Sequence, residues 1–248
     1  MRRFFTEPRN IKEDLIEIFE DSRHIEKVLR MTTGDRVLVF DGTGTEYEAE
    51  LISIEKNICR AKVLNKSISL SEPKTQITLY QGLPKSGKME LIIQKAVELG
   101  VCRIVPVIMD RCVVKINSKS VAAEKTQRWQ KVSVEAAKQC GRGIVPKVSE
   151  PINFDDAVNE MQNSDLAIMP YEELGHQGKL GLKALLKDNQ TAERISIIVG
   201  PEGGFSEEEA EMAKEKGIHT VGLGKRILRT ETVSGAIIPV ILYQRGEF

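Results

Sequence analysis

From residue 77 to the end of this 248-residue chain, short apolar runs alternate with helical patterns, and no other feature limits the possible folds so strongly. Strand signals fall at 77–81, 103–108, 145–148, 166–170, 195–199 and 220–223. Between and after them, apolar residues recur at helical spacing over 88–99, about 120–139, 154–161, about 180–186, 207–216 and about 231–243. Strands separated by helices predict an α/β fold, a parallel sheet covered by helices on both faces. Such sheets bind ligands beyond the carboxyl ends of their strands, so the loops after Gln81, Pro170, Val199 and Leu223 are the ones to inspect.

The first seventy residues have a different grammar. Arg36 to Phe40 leads into the turn Asp41-Gly42-Thr43-Gly44, residues 47–54 alternate apolar and polar, and 58–64 returns, which predicts a small β meander or barrel. Ile25, Val28 and Leu29 give residues 22–31 a helical spacing. A polar connector around Pro73 separates two expected domains, 1–70 and 75–248.

Several classes are set aside by composition. With 41% hydrophobic and 29% charged residues the chain reads as soluble and globular. Its longest apolar run, 236–243, is interrupted by Pro239 and falls well short of the ~20 residues that span a bilayer, so no membrane segment is expected. The start, MRRFFTEPRN, lacks the apolar core of a secretory signal, which predicts a cytoplasmic protein. Cys59, Cys102, Cys112 and Cys140 form no CxxC pair, and His24, His176 and His219 are scattered, so reduced thiols and no metal are expected. The 36 basic and 36 acidic residues cancel, yet residues 111–147 carry nine Lys/Arg against two acids, and 148–178 carry seven acids and no Lys or Arg. Screening limits each charge to about 8–10 Å, so the basic block can attract phosphate locally; a solvated helix face is the alternative.

Three loops have unusual chemistry. GLPKSGKM (82–89) approaches the phosphate-binding GxxxxGK[ST] pattern, but Met89 cannot coordinate magnesium, and a strand-to-helix turn with two exposed lysines fits better. VGPEGGFS (199–206) places three glycines and a proline after an apolar strand, more than a tight turn requires and suited to a ligand. Ser206 and Glu209 then form a capping-box pair. LGKRILRTET (223–232) sets Lys225, Arg226 and Arg229 around Ile227 and Leu228, with Thr230 as helix cap. Apolar side chains with free amides suit an adenine, and the arginines suit phosphate or a substrate base.

GPEGGFS followed by LGxRILRTET resembles the SPOUT superfamily of S-adenosylmethionine-dependent RNA methyltransferases, whose carboxyl half forms a deep trefoil knot. HIEKVLRMTTGDRVLVFDG, KMELIIQKAVELGVCRIVP and RWQKVSVEAAKQCGRGIVP are similar to the subfamily that methylates N3 of a uridine in 16S ribosomal RNA. The likeness runs nearly the full length, and Val233 departs from it where alanine is expected.

The resemblance implies a knotted SPOUT parallel-sheet domain preceded by a PUA-like β-barrel that binds RNA. S-adenosyl-L-methionine would be held by Met169, Pro170, Val199, Gly200, Pro201, Gly203, Gly204, Phe205, Leu223, Gly224, Arg226, Ile227, Leu228, Thr230 and Thr232. The substrate would be 16S ribosomal RNA or the small ribosomal subunit, and the enzyme a metal-independent homodimer with its active site at the subunit interface. Gln139 and Arg142 would then face the partner's donor. Because uracil N3 carries a proton, the site needs a base or a cation that stabilises the anionic ring. Arg142 or Arg229 suits the ring oxygens; Glu202 suits the proton, or else bonds local amides. The apolar helix 231–243 suggests a partner surface or a fully buried helix. A non-catalytic RNA-binding factor and a nucleotide triphosphatase are the competing classes.

Overall fold

The computed structural model describes residues 1–85, 87–171 and 181–248. The chain divides into two compact units: Met1–Glu72 with Val134–Val145, and Pro73–Ser133 with Pro146–Phe248.

The first unit is built on one six-stranded sheet. Strands β1 (Arg2–Phe5), β2 (Ile11–Lys12), β3 (Leu15–Ile18), β4 (Arg36–Phe40), β5 (Thr45–Glu55) and β6 (Ile58–Ile68) lie in the order β1-β4-β5-β6-β3-β2. All pairs are antiparallel except β1 with β4. One face is buried: Phe4, Ile16, Ile18, Val37, Val39, Ala49, Leu51 and Ala61 pack around Ile25, which is why the sequence alternates here. The helix expected over 22–31 ends early: Ser22 and Arg23 are α-helical and His24–Val28 form one π-helical turn. It cannot extend because Arg30 turns to φ 51°, and Val28, one of the three spaced apolar residues, is 66% exposed. Residues 134–145 join this unit because Gly143 accepts from the Gly44 amide at 3.1 Å and Glu72 accepts from the Ile144 amide at 3.0 Å.

The second unit contains a fully parallel sheet of β7 (Gln76–Gly82), β8 (Arg103–Ile108), β9 (Lys147–Val148), β10 (Ile152–Asn153), β11 (Leu166–Pro170), β12 (Arg194–Val199) and β13 (His219–Val221). The order is β10-β8-β7-β12-β11-β13, with β9 also on β8. β8, β11 and β12 are buried along nearly their whole length, as strands covered on both faces are. Its helices are α1 (Lys88–Glu98), α2 (Lys119–Cys140, whose last turns belong to the first unit), α3 (Phe154–Met161), α4 (Leu182–Asp188), α5 (Glu207–Glu215) and α6 (Thr230–Gln244). Of the helix expected over 180–186, residue 180 lies outside the described residues; the strand expected over 145–148 is reduced to β9, after the Pro146 break. α6 buries Ile237, Ile238, Ile241 and Leu242 within the unit, leaving Val240 and Tyr243 exposed. Burial within the chain therefore accounts for most of its apolar face.

Candidate active site

The parallel register brings the carboxyl ends of β7, β12, β11 and β13 to one side of the sheet: Gln81 lies opposite Val199 and Pro170 opposite Val221. The chain leaves these ends through the glycine-bearing loops, and between them lies a cleft of about 540 Å³. That volume falls in the range of small-molecule sites. Of the residues implied for the donor, Pro170, Val199, Gly200, Pro201, Gly203, Gly204, Phe205, Leu223, Gly224, Arg226, Ile227, Leu228 and Thr230 line it. Met169 is fully buried among core side chains, and Thr232 is exposed on α6. Glu202 and Arg229 line the cleft too, together with Lys88, Arg111, Tyr171, Glu207 and Val233, which the donor assignment omitted. Of these five, Lys88 lay in the near-P-loop, Val233 marked the departure from the family pattern and Arg111 opened the basic block, whereas Tyr171 and Glu207 had no sequence signal.

A buried polar relay fixes the cleft floor. The Gln81 amide donates at 3.0 Å to Thr230 Oγ1 and at 3.0 Å to the Gly82 carbonyl, while the Thr230 hydroxyl donates at 2.6 Å to the Gly200 carbonyl. Thr230 is therefore not the cap expected of it. Arg229 is the N-cap of α6, and the Thr230 hydroxyl, 5% exposed, ties this helix to the strand end. Ser206 does cap α5: its hydroxyl accepts from the Glu209 amide, and the Glu209 carboxylate accepts from the Ser206 amide.

The glycines divide by what they face. A β-carbon on Gly203 would sit 2.8 Å from Arg111 Cβ, and the Gly203 carbonyl accepts from the Arg111 guanidinium at 3.0 Å. A side chain at Gly203 would therefore displace Arg111. Gly204, at φ +69°, faces open space, so a side chain there strains the backbone and has no protein neighbour within contact distance.

Charges around the cleft are paired unequally. Lys88 Nζ lies 3.1 Å from Glu202 and 3.1 Å from Glu231, so Lys85 is exposed but Lys88 is not the second free lysine of a turn. These carboxylates, with Glu202 also accepting from the Lys85 amide, raise the Lys88 pKa. Burial pushes Glu202 up, but its own amide, Lys88 and the Lys85 amide outweigh it and hold the carboxyl below its usual range. A carboxylate held down in this way is a weakened proton acceptor. Lys225, Arg226, Ile227 and Arg229 are exposed.

The remaining candidates belong to the first unit. Gln139 is exposed. Arg142 is 4% exposed, its guanidinium 2.6 Å from Glu72, so it reaches a base only if that pair gives way. In the basic helix Lys138 is held by Asp21 and Glu135 and Arg128 by Glu90, whereas Lys131 is exposed.

Comparison with known proteins gives this arrangement a class. Residues 71–242 match the family described as RNA methyltransferase domain, and residues 20–64 match the RNA methyltransferase PUA domain. The class is that of RNA methyltransferases carrying an amino-terminal PUA domain. Ribosomal RNA small subunit methyltransferase E of Bacillus subtilis is 36% identical over 226 residues, covering 91% of this chain and 88% of the relative. The crystal structure of the Neisseria gonorrhoeae enzyme of that name bound to S-adenosyl methionine superposes with a TM-score of 0.86 at 34% identity, covering 98% of this chain and 97% of the other. A methyltransferase from Legionella pneumophila in complex with the bound cofactor SAM gives 0.87 at 29% identity, covering 97% and 96%. The chain belongs to the ribosomal RNA small subunit methyltransferase E family.

Proposed function

We propose that this chain is an S-adenosylmethionine-dependent methyltransferase acting on N3 of a uridine in 16S ribosomal RNA. The observation that carries this reading is the cleft at the strand ends, where the glycine loop and the LGKRILRTET segment meet around about 540 Å³. The residues suit the donor: Gly204 presents no side chain to the opening, Ile227 and Leu228 supply apolar surface, and the carboxylate of Glu202 is charged at neutral pH. The donor supplies an electrophilic methyl group on a sulfonium, and everything else falls to this chain and the RNA.

The uracil N3 proton must leave before that nitrogen can accept a methyl group, and negative charge then spreads to the ring oxygens. In this reading Arg229 donates to such an oxygen, a role supported by its exposure and its position on the cleft lining. Gln139 and Arg142 act toward the donor of a second copy in a homodimer, with release of the Arg142–Glu72 pair as part of assembly. The PUA domain binds RNA, the carboxyl half is threaded as a trefoil knot, and the protein works in the cytoplasm on free RNA or the small subunit.

Incubation of the purified protein with labelled S-adenosylmethionine and small-subunit RNA tests the reaction. The expected product is 3-methyluridine, which halts reverse transcriptase at one position. Label on a ribose or a purine would overturn the uridine assignment.

A further inference from the structure

We infer that Lys88 is a positioning residue that clasps the two loops forming the donor cleft, holding Glu202 of one and Glu231 at the start of α6 beyond the other. The inference rests on the cleft being the donor site. Lys88, Glu202 and Glu231 are more than a hundred residues apart from first to last, yet one ammonium lies 3.1 Å from a carboxylate oxygen of each. Side-chain exposures of 32%, 25% and 17% make this a partly buried cluster and not a pair of surface contacts.

The placement of the lysine is informative. Lys88 is the first residue of α1, where the helix dipole disfavours a cation and favours an anion. A lysine at that position needs a local source of negative charge, and the two carboxylates provide it. Conversely, Glu202 and Glu231 facing one point without the ammonium would repel each other and push the two loops apart. Glu202 is further anchored by the Lys85 amide, 3.2 Å from each carboxylate oxygen, so the GLPKSGKM turn grips the glycine loop through both main chain and side chain. This gives the near-P-loop motif a role that requires no phosphate, and makes Glu202 a strut of the cleft instead of its proton acceptor.

Exchange and binding measurements on the full chain test this. In ligand-free Lys88→Met, amide hydrogen exchange should accelerate in 199–206 and 223–232 while the core strands keep wild-type protection. Calorimetry should show S-adenosylmethionine binding weakened about tenfold, with kinetic losses falling on donor KM more than on kcat. In the wild type, added salt should weaken donor binding by screening the clasp; in Lys88→Met that dependence should flatten. Glu231→Gln should show the same direction, and the double variant should be no worse than Lys88→Met alone. The swap Lys88→Glu with Glu231→Lys, which restores one cation between two carboxylates, should recover affinity. Wild-type affinity and exchange in folded Lys88→Met, or additive losses in the double variant, would overturn the clasp. Gly204→Val separates the two readings: if it abolishes donor binding while Lys88→Met binds donor as the wild type does, the site stands and the clasp falls. If folded Gly204→Val binds normally, the donor-site reading falls and takes the clasp with it.

Discussion

Between Val199 and Ser206 the backbone is held at successive points, whereas between Leu223 and Arg229 it is held chiefly at its far end. In the first loop the Gly200 carbonyl takes the Thr230 hydroxyl, Glu202 takes Lys88, the Gly203 carbonyl takes Arg111, and the Gly204 amide returns to the Pro201 carbonyl at 3.0 Å. Phe205 is 5% exposed and stacks edge-on to Phe154 with centroids 6.3 Å apart. The second loop exposes Lys225, Arg226, Ile227 and Arg229 before Thr230 and Glu231 tie it down. One wall of the cleft is prebuilt and the other carries side chains free to meet a ligand. A site that must hold a small molecule in one orientation and admit a large RNA benefits from that division.

The comparison is broken most severely from beneath the firm wall. A β-carbon on Gly82 would lie 2.7 Å from Pro201 Cδ, 2.8 Å from Pro201 N and 2.8 Å from Met109 Sδ. Two of those atoms belong to a proline ring that cannot rotate away. Gly82→Ala should lose about 1–3 kcal/mol of stability by overpacking and bind donor far more weakly, measured by urea unfolding and calorimetry. An unchanged midpoint and affinity would mean the firm wall is softer than its contacts indicate.

Next in size is the tie between the walls. Thr230→Val keeps the shape but leaves the buried Gly200 carbonyl without this donor and deprives the Gln81 amide of one of its two acceptors, the Gly82 carbonyl being the other. Unsatisfied buried groups cost about 1–3 kcal/mol, and the loss should appear in thermal unfolding together with faster exchange in the second loop. If donor affinity fell with no loss of stability, Thr230 would be a ligand contact and not a tie.

Much of this unit is written locally. β8, β11 and α3 coincide with their sequence signals because each is a compact apolar pattern bounded by turns. The short strands β1 and β2 have little local signal; β1 exists because it pairs in parallel with β4, more than thirty residues away. The glycine and RILRTET motifs mark the cleft because they are contiguous. The Lys88 clasp, the Thr230 tie and the Arg111 bond were not legible, since each joins residues whose proximity only the parallel register creates. The same holds for Arg142, whose local context reads as a free cation and whose Glu72 partner lies 70 residues earlier.

The smallest expected effect on stability belongs to the open wall, and it sharpens the comparison by separating folding from binding. Arg226 is exposed and lines the cleft, and surface substitutions away from buried networks shift stability by no more than about 0.5 kcal/mol. Arg226→Ala should therefore unfold like the wild type. If the arginine meets an RNA phosphate, the variant should bind RNA more weakly, and the slope of log affinity against log salt should fall by about 1, the signature of one lost phosphate contact. If instead it meets the donor, S-adenosylmethionine affinity should fall while the RNA salt slope stays as it was. Measuring both in the same variant assigns the side chain to one ligand. A large loss of stability would show that the second loop is held as firmly as the first, and the contrast between the walls would disappear.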